Sequence, residues 1–391
     1  MENVVELHKA EYGTEPDAVA TAPGRVHLIG EHTWFFKDKT ISMAVNLPVY
    51  VAVSRRDDSN LRFNFVQLKE KKRSSLTTLK VKKEDKWANA LKAVVYGFSS
   101  SGYKCSGMDF TVYSEVLPSA GFGITTAIKI AGTWAVKDAN KFRINEENLI
   151  QILEKANRQF LGLDNFRADI FTGVYSKENT LVLTDHARGT FDLLPFKFKD
   201  KTIILTDARV PRITTWNEES LQQPENVLLL GELKDRKSTV YGGWVYEDNG
   251  SERNEVLSVV SEDVRRHLIC IMNEHRYVLD AQSALEKADF SGFARSVNKS
   301  HEGMKTLYDI SCPEIDWLLK RVQTLASPAG DPRNPANCGR ITGKGFGRCT
   351  YSVLRNEDVD KYKEVLADYE RIFGFQAECR IVKTSRGVRL L

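Results

Sequence analysis

The stretch from Leu117 to Ala131, LPSAGFGITTAIKIA, constrains the fold of this chain more than any other. An extended run, Met108 to Val116, enters a turn that holds Gly121 and Gly123, and a run with helical character follows. Glycine lets a backbone approach a ligand closely, and the N-terminus of a helix carries positive potential. A strand, a glycine turn and a helix in this order therefore favour binding of a phosphate.

This glycine turn is not a Walker P-loop, because the lysine of that motif and its Ser/Thr partner are missing. The same residues are also compatible with an ordinary turn in which Thr125 and Thr126 only cap the helix. Motifs elsewhere in the chain have to decide between the two interpretations.

Length and composition predict a two-domain soluble protein. The chain has 391 residues, 42% of them hydrophobic and 28% charged, and a formal net charge of +4. No apolar run is long enough to span a bilayer, no nucleic-acid recognition motif is present, and the six cysteines lack CxxC spacing. We therefore expect a cytoplasmic monomer with reduced thiols and with neither a membrane nor a nucleic acid as partner.

A second motif lies near the start of the chain. Val26 to Ile29 reads as a strand that ends in Gly30 to His32, and Met43 to Val53 reads as a second strand broken by Pro48. The loop between them holds three aromatic residues, Trp34 to Phe36. Such residues either pack against the protein body or line a pocket.

Hydrophobic patterning predicts the remaining elements. The second half mixes helices and strands without a regular repeat, which is typical of an α+β fold. We place the domain boundary near Pro195, giving an N-terminal domain of residues 1–195 and a C-terminal domain of residues 196–391. The predicted strands are Leu61–Val66, Leu76–Val81, Thr202–Asp207, Ile341–Val353, Ala377–Val382 and Val388–Leu391, and the predicted helices are Val4–Tyr12, Trp87–Phe98, Thr126–Val136, Asn145–Phe160, Ser261–Ala288, Phe290–Leu307 and Asp358–Phe373.

The segment PGRVHLIGEH, Pro23 to His32, closely resembles the galactokinase signature of the GHMP small-molecule kinases. LPSAGFGITTA falls where that family has its phosphate loop, and CGRITGKGFGRCTYSVL, Cys338 to Leu354, resembles its third, glycine-rich motif. The matches keep the family's order over nearly the full length, so the chain is identified as a divergent member. The resemblance implies an N-terminal half like domain 2 of ribosomal protein S5 and a ferredoxin-like C-terminal half.

The resemblance implies two catalytic residues, Arg25 and Asp169. In an ungapped alignment the family's catalytic aspartate falls on Asp169, and its strand-end aspartate falls on Asp185 in the same register. This agreement favours Asp169 over Asp164. An arginine beside the carboxylate would keep it ionised and stabilise the negative oxygen that develops during attack.

The family uses ATP and Mg²⁺, and the resemblance assigns the residues that would bind them. Thr125 falls on a metal-binding serine, but Asn157 falls on the metal-binding glutamate, and an amide is a weaker ligand for a hard cation. The predicted nucleotide-binding residues are Ser119, Gly121, Gly123, Thr125, Thr126, Gly343 and Gly345.

On the sugar side, Glu31 and His32 match pocket residues of the family. Trp34 replaces an aspartate that holds sugar hydroxyls, and Phe166 replaces a glycine of the opposite wall. Loss of a directional acceptor changes which hydroxyls a pocket discriminates.

These residues predict ATP-dependent phosphorylation of a sugar, galactose or a related sugar, at the anomeric hydroxyl. The alternative is a non-catalytic relative that binds sugar or nucleotide as a sensor or interaction module. Retention of Arg25 and Asp169 favours the enzyme, whereas the changes at Asn157 and Trp34 favour the binding protein. A mevalonate or homoserine kinase is less well supported, because GRVHLIGEH is specific to the galactokinase branch.

Overall fold

The computed structural model describes residues 2–117, 121–211, 258, 260–326, 331–343 and 348–391. None of the helices in these ranges is long and apolar enough to cross a membrane. The helices are α1 (Glu2–Tyr12), α2 (Ala88–Ser100), α3 (Ile124–Ala139), α4 (Glu146–Lys155), α5 (Arg167–Tyr175), α6 (Glu262–Glu286), α7 (Phe290–Thr306), α8 (Pro313–Thr324) and α9 (Val359–Phe373). The strands are β1 (Ala18–Ile29), β2 (Lys39–Arg56), β3 (Asn60–Phe65), β4 (Glu70–Ser75), β5 (Gly107–Ser114), β6 (Thr180–Asp185), β7 (Thr190–Pro195), β8 (Lys201–Asp207), β9 (Cys338–Ile341), β10 (Cys349–Arg355), β11 (Glu378–Val382) and β12 (Arg389–Leu390).

Two sheets organise the described residues. The first has eight strands in the order β12-β1-β2-β5-β3-β4, with β6 paired to β2 and β7 to β6. The second has four strands in the order β11-β8-β10-β9. Helix α3 packs on β1 and β2, and helix α7 contacts both β1 and β9, so α7 joins the two sheets. The predicted α+β class is confirmed.

The segment around Val388 and β12 contacts both β1 and α5. β12 pairs with β1 through Thr21 and Arg389, and the Val388 N–H donates to the Gly173 carbonyl in α5 at 2.8 Å. The first sheet therefore combines strands from both halves of the sequence. A single boundary in the sequence does not separate it from the rest of the protein. The division into domains at residue 195 stays a prediction.

The start of α6 agrees closely with the sequence pattern. Ser261 caps α6 by accepting the Val264 N–H at 3.4 Å, as its position before the helical pattern predicted. The lysine-rich stretch around Lys71 and Lys72, where no strand was predicted, forms β4, an edge strand of the first sheet. Charged side chains on an exposed edge protect it from pairing with other chains.

Four predictions of elements were wrong or incomplete. Pro48 does not break a strand: β2 runs through it, and a register shift opposite Pro23 absorbs the irregularity. Leu76 to Val81 is not a strand, because the chain leaves the sheet there in a 3-10 turn at Leu76–Thr78. The predicted strand Ile341–Val353 is instead two antiparallel strands, β9 and β10. Helix α8 was missed, although Pro313 at its first turn is a helix-start signal.

His8 is a buried histidine that makes folding sensitive to acid. Its ring nitrogens contact the hydroxyls of Thr111 at 3.0 Å and Ser54 at 2.9 Å. Burial lowers the pKa of His8 to about 4 from 6.5. Below pH 6.5 the unfolded chain takes up a proton that the folded chain does not, so stability is complete above pH 6.5 and declines toward pH 4.

We expect this histidine to contribute about 3 kcal/mol to the loss of unfolding free energy between pH 7 and pH 4. Urea unfolding of the wild type and of His8→Gln at both pH values measures it. The variant should be less stable at pH 7 but lose less stability on acidification. Equal losses in the two proteins would contradict the assignment.

Candidate active site

Arg25 and Asp169 meet at the centre of the candidate site. Arg25 lies in β1, Asp169 lies in the first turn of α5, and the Arg25 Nε contacts Asp169 Oδ1. The Arg25 Nη1 also donates to the Gly121 carbonyl at 3.0 Å. Both charged side chains are mostly buried, with 13% and 15% exposed. The structure therefore brings the two predicted catalytic residues together beside the glycine turn.

Asp169 is held through both of its oxygens. The Thr126 hydroxyl donates to Oδ2 at 3.0 Å, and His27 Nε2 lies 3.2 Å from Oδ1. A carboxylate can only accept, so Nε2 carries the hydrogen, and Nδ1 accepts from the Ser42 hydroxyl at 2.7 Å. Burial and the Arg25 guanidinium lower the pKa of His27, which keeps its ring neutral.

The environment keeps Asp169 ionised. Burial alone would raise its pKa, but the Arg25 guanidinium and the hydrogen bond from His27 hold the pKa well below the usual range. The N-cap of α5 is Phe166, so Asp169 does not serve as the capping residue of its helix. Asp164, the competing aspartate, is exposed to solvent.

The two glycine motifs touch each other beside Arg25. Gly121 and Gly123 have positive φ angles of 113° and 75°, and a Cβ at Gly123 would lie 2.7 Å from Cγ of Arg25. A Cβ at Gly343, in the third motif, would lie 2.8 Å from Cα of Gly121. Only glycine permits this approach. The predicted nucleotide-binding residues Ser119 and Gly345 lie outside the described residues.

The two threonines at the start of α3 differ in their surroundings. Thr125 is exposed, whereas Thr126 is buried and donates to Asp169. Gly123 is the N-cap of α3, and in the part of the chain that the structure describes no side chain caps the helix. Backbone N–H groups of its first turn therefore remain available to an anion.

Asn157 does not occupy an open metal site. Its Oδ1 accepts a hydrogen bond from Lys129 Nζ, and its Nδ2 donates to the Leu153 carbonyl at 2.8 Å. It lies in a π-helical segment, Ala156–Phe160, that continues α4. Burial lowers the pKa of Lys129 to about 8, although Asp169 opposes this shift.

The residues present do not fit a magnesium ion held by the protein in the predicted way. The amide oxygen of Asn157 already faces an ammonium group, and the described residues contain no cluster of three His, Cys, Asp or Glu side chains suited to a metal. The metal roles assigned to Thr125 and Asn157 stay predictions that this arrangement does not favour.

Glu31 belongs to a buried charge network that joins the two sheets. Arg340, in β9, donates to Glu31 at 2.6 Å, to Glu274 of α6 at 3.1 Å and to the Ser300 hydroxyl of α7 at 2.6 Å. Glu274 also accepts the Gly30 N–H at 2.9 Å. Burial would raise the pKa of Glu31, but the Arg340 guanidinium lowers it below its usual value. We call Arg340, Glu31, Glu274 and Ser300 the inter-sheet network.

Three buried polar atoms near Glu31 lack a hydrogen-bond partner among the described residues. They are Glu31 Oε2, Trp34 Nε1 and Asp38 Oδ2. Buried polar atoms are normally paired, so these three atoms are candidates for hydrogen bonds to the hydroxyl groups of a ligand. Phe35 and Phe36, in contrast, pack on apolar residues of α6.

The other predicted sugar-side residues lie deep in the protein. His32 is buried, and its ring centre lies 5.0 Å from that of Tyr308. Phe166 is buried in the main core at the N-cap of α5, under the Arg158 guanidinium at 5.2 Å. Their roles in sugar binding stay predictions.

Arg348 belongs to the third motif and directly precedes β10. Its Nε donates to Asp207 Oδ1 at 3.0 Å and to Oδ2 at 3.3 Å. The guanidinium is therefore in an ion pair within the second sheet.

Sequence reasoning missed several residues of the site. His27 follows Arg25 by two positions in a strand, and this spacing places both on one face. Lys129 is a charged residue within the apolar run of α3, three positions after Thr126. The local sequence around Arg340 and Asp38 does not indicate a functional role, because their partners are distant in sequence. Arg340 and Glu31, for example, are separated by 309 positions.

Two family models match this chain. One, described as the galactokinase galactose-binding signature, matches residues 6–55, and one described as the GHMP kinases N terminal domain matches residues 88–177. The fold superposes on the crystal structure of Lactococcus lactis galactokinase complexed with galactose, with a TM-score of 0.80 at 19% identity over 100% of this chain and 99% of that one. It also resembles Methanococcus jannaschii mevalonate kinase, with a TM-score of 0.62 at 15% identity over 94% and 98%. The fold is thus that of the GHMP small-molecule kinases.

Full-length relatives narrow this class. The chain is 37% identical to a putative galactokinase of Treponema pallidum (strain Nichols), over 100% of this chain and 97% of the relative. It is 26% identical to a galactokinase of Streptococcus thermophilus, over 99% and 98%. The chain belongs to the galactokinase family. The predictions of this family, of its fold and of an ATP-dependent sugar kinase are confirmed, and kinases of this kind use ATP with Mg²⁺.

Proposed function

We propose that this protein transfers the γ-phosphoryl group of ATP to the anomeric hydroxyl of galactose or a closely related sugar. The observation that carries the proposal is the contact between Arg25 and Asp169 next to Gly121, at the start of α3. Full-length similarity to galactokinases supports the sugar class.

Asp169 orients the attacking hydroxyl in this proposal. Its low pKa makes it a weak base, so it accepts a hydrogen bond from the sugar hydroxyl first and takes the proton late. A late proton transfer suits the loose transition state of phosphoryl transfer, in which little charge develops on the nucleophile before the phosphoryl group moves.

Arg25 and the start of α3 supply fixed positive potential. The Arg25 guanidinium lies between the carboxylate and the Gly121 carbonyl, where it stabilises negative charge on the transferred group. Free N–H groups in the first turn of α3 favour the phosphates of ATP. Mg²⁺ would travel with the nucleotide and offset the charge of its phosphates.

The sugar is recognised by the unpartnered atoms of the loop after β1. Glu31 Oε2 and Asp38 Oδ2 are acceptors for sugar hydroxyls, and Trp34 Nε1 is a donor. An indole donor in place of the family's aspartate reverses the polarity of one contact. Sugars related to galactose but different at one hydroxyl are therefore included in the proposal.

Replacing Trp34 with phenylalanine tests the pocket. Loss of one hydrogen bond to a sugar hydroxyl should raise the KM for the sugar roughly 2- to 10-fold, with little change in the KM for ATP. Thermal stability should stay the same or rise, because a buried donor without a protein partner is removed. An unchanged KM for every accepted sugar would exclude Trp34 from the pocket.

The function itself is tested with Mg·ATP and a panel of sugars. ADP release should depend on a sugar of the galactose series, and ³¹P NMR should detect a sugar 1-phosphate. The 1-deoxy analogue of the accepted sugar should bind without turnover, because it lacks the anomeric hydroxyl. Sugar binding without ADP release for the entire panel would favour the alternative, a non-catalytic sugar sensor.

The six free thiols support a cytoplasmic location.

A further inference from the structure

Lys129 is a buried cation whose bonding is incomplete. Its side chain lies in α3 and is 5% exposed, and its Nζ donates to Asn157 Oδ1. An ammonium group has three N–H donors, and in the described residues no second hydrogen bond involves this one. A buried ammonium is costly unless an anion accompanies it.

The carboxylates of the described residues do not meet this need. Asp169 acts on Lys129 through its charge, but both Asp169 oxygens already bind Arg25, His27 or Thr126. Asp169 is already paired with Arg25, and the charge of Arg25 also lowers the pKa of Lys129. Among these three side chains there are two cations and one carboxylate, so positive charge is in excess.

The position of Lys129 on α3 favours a phosphate as the anion that would accompany it. Lys129 lies about one and a half turns after Gly123, on the helix whose N-terminus follows the glycine turn. Its partner Asn157 is at the position where the family has its metal-binding glutamate. A divalent cation bound to a carboxylate and an ammonium bound to an amide have the same net charge.

We propose that the Lys129 ammonium supplies the fixed positive charge for the phosphates of ATP that a glutamate-bound Mg²⁺ supplies in related kinases. This inference rests on the proposed function of the same site. The inference also gives Asn157 a different role. Its amide oxygen accepts a hydrogen bond that positions the Lys129 ammonium, and it does not act as a weak metal ligand. ATP binding by this protein should depend little on Mg²⁺.

Calorimetry with ATP in EDTA and in excess Mg²⁺ tests the inference. The affinity of the wild type for ATP should differ by no more than about threefold between the two conditions. In EDTA, Lys129→Met should bind ATP roughly 10- to 100-fold more weakly than the wild type. Lys129→Gln keeps a donor for Asn157 without the charge and should show the same loss. Lys137→Met, in the last turn of α3, is the matched control and should behave like wild type.

A double variant separates the charge from the packing. In Asn157→Glu alone, the new carboxylate should pair with Lys129, so affinity falls and added Mg²⁺ restores little. In Lys129→Met/Asn157→Glu the carboxylate is available to the metal, and ATP affinity should rise at least about tenfold on adding Mg²⁺. Circular dichroism and thermal midpoints check that each variant is folded.

Two results would overturn the inference. One is wild-type protein that binds ATP only with Mg²⁺, and the other is folded Lys129→Gln with unchanged affinity in EDTA. This test measures nucleotide binding, so it does not depend on the outcome of the kinase assay. If ATP bound through Lys129 but no sugar were phosphorylated, the proposed kinase activity would be refuted and the role of Lys129 would not.

Discussion

Replacing Asp169 with asparagine should lower kcat for sugar phosphorylation roughly 10²- to 10⁴-fold. Asparagine has the same shape, and its oxygen can still accept hydrogen bonds from Arg25 or Thr126, so the site should keep its geometry. The variant lacks the negative charge that orients the sugar hydroxyl and finally takes its proton. Binding of ATP should change much less than turnover.

Coupled measurement of ADP release at saturating sugar and ATP checks this expectation. Asp164→Asn is the matched control, because Asp164 is exposed a few residues earlier and should retain full activity. If Asp169→Asn retained more than about a tenth of wild-type turnover, the carboxylate would not be part of the chemistry.

Replacing Arg340 with methionine should lower the free energy of unfolding by about 3–5 kcal/mol. Arg340 is fully buried and is the counter-charge of both Glu31 and Glu274. Without it, two buried carboxylates lose their arginine counter-charge. The loss should also loosen the contact between the sheets, because the inter-sheet network connects β9 to α6, α7 and the end of β1.

Urea unfolding measures the effect. Arg348→Met breaks a more exposed ion pair with Asp207 and should cost clearly less. Adding Glu274→Gln to Arg340→Met should recover part of the stability, since one unpaired charge disappears. A loss below about 1 kcal/mol for Arg340→Met would show that the network contributes little.

The sequence predicted elements well where a local signal was strong. Ser261 before a long amphipathic run located the start of α6, and the apolar TIIL run located β8. Local patterns failed where tertiary pairing decided the outcome. β4 is a strand despite three basic residues, because β3 provides a partner, whereas the more apolar Leu76 to Val81 has none.

The candidate site divides in the same way. Arg25, Asp169, Gly121, Gly123 and Gly343 were predicted as site residues because motifs carry them, and the structure brings these five residues together. Lys129 and Arg340 were not found, because a buried cation is meaningful only next to partners that the fold provides. His27 could have been predicted from the alternation of side chains along a strand, because Arg25, two positions earlier, was already assigned to the site.

The pairing of β12 with β1 has a consequence for biosynthesis. The segment just before β12 also bonds to α5, so residues 388–390 hold together the strand with Arg25 and the helix with Asp169. During translation, the guanidinium and the carboxylate lack these contacts until residues 388–390 have left the ribosome. We expect nascent chains without these residues to keep an open edge on the first sheet and to lack catalytic competence.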